Sequence, residues 1–201
     1  MKEAKISKRI LAYLLDICLV YLLMTLITNI RFINPTYDKL IEATTEYTEL
    51  LETYENIEDI DAEKINDVVF KVTKYSISTN IAIIIVLFAY FGLFQKFNNG
   101  QTLGKKIMKI KVVGIDDKNV GLGKYLLRIL PTYYIYIGSI IPLITTSLIV
   151  CFVNSNLFSI INSSVVYAFF ALNIITIVMI NIRKDKRGIH DLISGTKVVF
   201  E

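Results

Sequence analysis

Residues 8–27 read KRILAYLLDICLVYLLMTLI. Beyond the basic pair that opens it, this stretch carries one charge, Asp16, among leucines, isoleucines and valines. A hydrocarbon core of about 30 Å needs roughly 20 apolar residues in a helix. The stretch therefore reads as a membrane span with a carboxylate inside it. Lys2, Lys5, Lys8 and Arg9 resemble the start of a secretory leader, but the apolar region is too long and residues 29–32, Asn-Ile-Arg-Phe, are too bulky for a cleavage site. The span is expected to be retained.

Working outward, four apolar runs are long enough to cross a bilayer: 10–30, 77–97, 131–153 and 163–182. The last two belong to one stretch interrupted at Asn154, Ser155 and Asn156 and again at 162–164, which predicts a helical hairpin with a short loop. Of the 201 residues 54% are hydrophobic, and they lie in runs that a soluble domain does not need. The expected fold is an all-α membrane protein, a single membrane domain of four transmembrane helices. Cys18 and Cys151 fall inside spans at no metal-like spacing and read as small packing residues. No metal site and no cofactor is expected.

Charge is segregated by loop. Residues 32–75 hold eleven acidic and four basic residues, whereas 95–128 hold eight Lys/Arg against Asp116 and Asp117. The tail adds Arg183, Lys184, Lys186, Arg187 and Lys197. Basic juxtamembrane segments stay on the cytoplasmic side. Four spans with both termini cytoplasmic satisfy every loop, in the plasma membrane, with anionic headgroups near the basic inner loop. The same lysines need no nucleic-acid partner.

The acidic segment is predicted to be a helical extracellular insertion over 32–75. Asn34-Pro35 suits a helix start, and Leu40, Tyr47, Leu50, Leu51, Tyr54 and Ile57 recur at helical spacing. A second helix is expected near Asp61, and the pair is read as solvated. In the inner loop, 107–113 is strand-like and 114–119 is a turn cluster. With 195–200 it predicts a small cytoplasmic β element. Residues 123–130 predict an interfacial helix, with Lys124 and Arg128 one turn apart.

Three pieces in order, Arg9-x-x-Ala12-x-x-x-Asp16, Gly100-Gln101-Thr102-Leu103-Gly104-Lys105 and His190-Asp191-Leu192-Ile193-Ser194-Gly195-Thr196-Lys197-Val198, make the chain resemble the RDD family of bacterial membrane proteins. That family is named for an arginine and two aspartates, which here correspond to Arg9, Asp16 and Asp191. The resemblance covers most of the chain apart from the outer insertion. It implies a multi-span protein, and for some members sodium/proton antiport.

Arg9 and Asp16 are two helical turns apart and face the same way. Asp16 lies roughly 6 Å from the span's midpoint at 1.5 Å per residue. An acid at such a depth costs on the order of 2.5–3.5 kcal/mol. It must therefore face the bundle interior and meet Arg9, Arg128 or a bound monovalent cation. Two roles stay open. Asp16 exchanges a proton for a small cation, or it is locked to an arginine and fixes the helix arrangement.

Other polar groups carry weaker signals. Asn173, Thr145, Thr146 and Ser147 suit interhelical hydrogen bonds. Gly138 and Pro142 suggest a kink. Gly100-x-x-x-Gly104-Lys105 fails as a phosphate loop, because its spacing is one residue short and Lys106 replaces the Ser/Thr. His190 is read as incidental beside Asp191. No nucleophile constellation suggests an enzyme. The expected function is transport of a small ion or solute, with Na+/H+-type exchange at Asp16 and with Arg9, Arg128 and Asp191 as charge partners. The alternative is a non-transporting scaffold or accessory subunit. A transporter of this size is expected to work as a homo-oligomer, and a scaffold to hold a partner membrane protein.

Overall fold

A computed structural model describes residues 2–54, 61–116, 119–134 and 138–201. Helix α1 (Ile6–Thr28) buries Ala12, Asp16, Ile17, Val20 and Met24, one stripe at helical spacing, and turns Leu11, Leu14, Leu15, Leu22 and Leu26 outward. Helices α2 (Tyr37–Thr53) and α3 (Ala62–Tyr75) pack on each other as the expected hairpin. Asp61 caps α3 by accepting from Glu63 N at 3.0 Å, and Lys71 bridges to Glu46 at 2.8 Å. Ile57 lies outside the described residues.

Helix α4 (Ile77–Phe97) is continuous but widens to a π-helix over Phe88–Phe94, where Tyr90, Phe91 and Gly92 are buried. Then follow α5 (Leu103–Ile107), β1 (Ile110–Gly114), α6 (Leu122–Ile129), the two-residue strands β2 (Tyr133–Tyr134) and β3 (Gly138–Ser139), and α7 (Ile140–Phe152). The chain ends with α8 (Ser155–Ile182), α9 (Ile189–Ser194) and β4 (Thr196–Phe200). Strands β1 and β4 pair antiparallel, Ile110 opposite Phe200 and Gly114 opposite Thr196, the pairing expected of these two segments. Ala4 N donates to Val198 O and Phe200 N to Lys2 O, so the N-terminus edges the same sheet.

The chain is mostly helical, and α1, α4 and α8 are each long and apolar enough to cross a membrane. One apolar core joins α1, α4, α6 and α7 through Val20, Leu87, Phe91, Ile129 and Ile140. A second, of Ala12, Ile110, Val112, Tyr125 and Val198, lies beneath the sheet.

Several expectations change. The run 131–153 is not one span-length helix: α7 has 13 residues, and β2 pairs with β3 ahead of it. Thirteen residues rise only about 20 Å. The hairpin turns at Val153-Asn154, where Asn154 accepts from Leu157 N at 3.1 Å, and 162–164 continue inside the 28-residue α8. The outer hairpin is not merely solvated, since α3 packs on α7 and α8 and Phe70 meets the fully buried Phe158 edge-on at 5.6 Å. Cys18 and Cys151 are exposed on helix faces rather than packed inside. Helix α6 leaves Lys124 outside but turns Arg128 into the interior.

Candidate functional site

The buried acids Asp16 and Asp191 organise the end of the bundle that carries the sheet. Asp16 is 1% exposed. Its Oδ1 accepts from Tyr90 OH and from Gly104 N, each at 2.7 Å, and its Oδ2 accepts from Thr102 Oγ1 at 2.5 Å. Lys105 Nζ stands 3.8 Å from Oδ2 and donates to Thr102 Oγ1 at 3.2 Å. Burial pulls the Lys105 ammonium down to about 8, against the opposing effect of Asp16.

This arrangement requires α5 to lie directly on α1. Thr102 caps α5, which leaves the Gly104 N–H free of an intrahelical partner and available to the carboxylate. A Cβ on Gly104 would collide with Ala12 O and come within 2.9 Å of the Asp16 carboxylate. Glycine and alanine at these positions let the two backbones approach.

Asp191 is fully buried in α9. Arg9 Nη1 donates to its Oδ2 at 3.1 Å, and Arg128 Nη1 donates to its Oδ1. Arg128 Nη1 also donates to Thr196 Oγ1 at 2.8 Å, and Gly188 N donates to Asp191 Oδ2 at 3.2 Å. Arg187 donates to Asp191 O and Thr196 O. Gly195 ends α9 with φ of 62°, the left-handed turn that suits glycine. Burial pushes the Asp191 carboxyl up, but Arg128 and Arg9 overcome it and hold the acid well below the usual range. His190 Nε2 lies 3.4 Å from Asp191 Oδ2. Burial, reinforced by the nearby arginines against the pull of Asp191, lowers its imidazole to about 4.

Both arginines offered as partners for Asp16 therefore belong to Asp191, and Asp16 is held by the neutral donors Tyr90, Thr102 and Gly104, with Lys105 as its nearby counter-charge. Gly100, Thr102, Gly104, Lys105, Gly195 and Thr196 all converge on these two sites or on the turns that shape them. Gly100, at φ 85°, accepts from Gln95 Nε2 and Val112 N. Asn173 donates within its own helix to Phe169 O at 2.7 Å, and Thr145, Thr146 and Ser147 bond back to carbonyls of α7. Interhelical polar contact comes from Asn80, whose Nδ2 donates to Ser147 Oγ at 3.2 Å. Tyr90 and Arg187 were not singled out in the sequence. The one available signal for Tyr90 is that a tyrosine in an apolar run needs a partner for its hydroxyl.

A cavity of about 480 Å3, walled by α1, α4, α6 and α8, is lined by Asp16 and by the Arg9, Arg128 and His190 that contact Asp191. Arg9, Asp16, Lys105, Arg128, Asn173 and His190 are among its polar lining residues. Among the described residues no group of His, Cys, Asp and Glu is placed to hold a metal ion.

Long apolar helices around a buried ionic interior define a multi-pass membrane protein. The chain belongs to the RDD family, whose model matches residues 3–195. No curated protein and no solved structure matches it.

Proposed function

We propose that the protein transports a small ion or solute across the plasma membrane, with the cavity beside the acid sites as its substrate site. The observation that carries this reading is a charged, roomy recess among helices that a lipid-embedded protein would otherwise pack dry. In this reading there are four crossings, of which the 13-residue α7 is the shortest. Both termini and the sheet lie in the cytoplasm and the acidic hairpin lies outside, in line with the loop charges.

Asp16 fits the fixed role better than exchange chemistry. Cation/proton exchange on Asp16 would have to displace the Tyr90, Thr102 and Gly104 donors in every cycle. A scaffold or accessory role is the second reading, favoured by the same observation that both acids are fully engaged. It places the partner on the exposed glutamate face of α2.

Ion and solute flux into proteoliposomes is the test. Transport requires flux that Ile177→Trp, which narrows the cavity, reduces strongly while the fold survives. A folded protein that moves nothing, yet loses a co-purifying membrane partner when Glu42, Glu49 and Glu52 become Gln, selects the scaffold.

A further inference from the structure

The cavity carries an imbalance that identifies a ligand class. Arg9, Lys105 and Arg128 line it, opposed by the carboxylates of Asp16 and Asp191. His190, on the same wall, is neutral near pH 7, so of the charged groups that line the cavity three are cationic and one, Asp16, is anionic. The Arg9 side chain is 10% exposed, and its Nε is buried and has no hydrogen-bond partner among the described residues. A buried guanidinium N–H without a partner is rare enough to need an explanation.

The opposite wall is apolar. Phe170, Ile174 and Ile177 of α8 line the cavity and are also 49%, 49% and 56% exposed, so the recess opens through this helix face toward the surrounding lipid. Ile129 and Phe91 close it on the inner side. A recess of about 300–1,000 Å3 takes a drug-sized molecule. At about 480 Å3 this one lies within that range and can enclose one short chain. A bare inorganic anion would leave the apolar wall without contacts, and a cation would meet the charge excess.

We propose that the cavity binds a single-chain amphiphile with a small oxyanion head, carboxylate or phosphate. The head meets Arg9 and Lys105, and the chain lies along the Phe170–Ile177 side of α8. The proposal rests on reading this cavity as the substrate site, and binding is measurable whether or not transport occurs.

The test is native mass spectrometry of the full chain released from dodecyl maltoside micelles. It is titrated separately with laurate, dodecyl phosphate, dodecyltrimethylammonium and acetate. One-to-one retention of laurate, dodecyl phosphate or both is expected, at least about tenfold tighter than the cationic amphiphile, with no retention of acetate. Retention of laurate alone assigns a carboxylate head, and of dodecyl phosphate alone a phosphate head. Lys105→Gln and Ile177→Trp should each weaken retention about tenfold, the scale of one charge-assisted contact. Equal retention of cationic and anionic chains overturns the proposal, as does anionic retention that neither variant changes. Retention without flux in proteoliposomes keeps the ligand and removes transport; flux without retention does the reverse.

Discussion

Arg9 donates to Asp191, 182 positions away, and leaves Asp16 on its own helix to other donors. The arginine thereby ties the first helix to the tail helix, with Arg128 gripping the same carboxylate from α6. Three segments distant in sequence meet at one buried acid.

Removing that acid should be severe. Asp191→Asn leaves two buried guanidinium groups without their counter-charge, and breaking a buried pair from one side costs about 3–5 kcal/mol. The expected outcome is a large loss of folded, detergent-extractable protein in size-exclusion profiles. Arg128→Met combined with Asp191→Leu should recover part of it, because no lone Arg128 charge is then left buried. No difference between the single and double variants would count against the triad.

Asp16→Asn should be milder. The amide oxygen can still accept from Tyr90 and Gly104, but the amide nitrogen meets the Thr102 hydroxyl and Lys105 loses its counter-charge. A loss of about 1.5–3 kcal/mol is expected for the charged hydrogen bonds. It should appear as a lower unfolding midpoint, and Tyr90→Phe should move in the same direction by less. If the folded Asp16→Asn fraction also lost all flux, the exchange role for this carboxylate would regain the lead.

Two glycines in the same part of the chain should respond in opposite ways. Gly104→Ala drives a methyl into Ala12 O and should cost about 1–3 kcal/mol or more. Gly123→Ala meets nothing within 4 Å in α6 and should be neutral or stabilise by up to about 1 kcal/mol. Thermal unfolding of the two variants side by side measures the contrast.

Acid should weaken the protein in two stages. The His190 folded value, about 4, lies below the 6.5 of the free imidazole, so between these values the unfolded chain binds the extra proton. Stability is present above pH 6.5 and falls as pH drops toward 4. Asp191, depressed further, contributes its own loss only below the ordinary aspartate range. Unfolding midpoints recorded from pH 7 to 4 should fall for the parent chain and flatten for His190→Gln.

Much of the architecture was legible in local pattern. Apolar run length marked α1, α4 and the α7–α8 hairpin, the strand-like run 107–113 and the tail segment 195–200 marked β1 and β4, and Asp61 marked the start of α3. The run 131–153 misled because hydropathy does not tell a span-length helix from a shorter helix preceded by a small strand ladder. Asn162, Ser163 and Ser164 looked like a loop, yet their side chains are tolerated within α8.

The sequence by itself determined which segments are apolar enough for lipid, how charge is divided among the loops, and that Asp16 and Asp191 had to be accounted for. These are properties of composition and short-range period, which neighbouring residues carry alone. Only the tertiary structure decided that Asp16 meets Tyr90, Thr102 and a backbone N–H while both arginines meet Asp191, and that a cavity remains beside them. Hydrogen-bond partners depend on how closely helices approach. That spacing is set by contacts such as Ala12 against Gly104, between residues too far apart in sequence for any local pattern to join them.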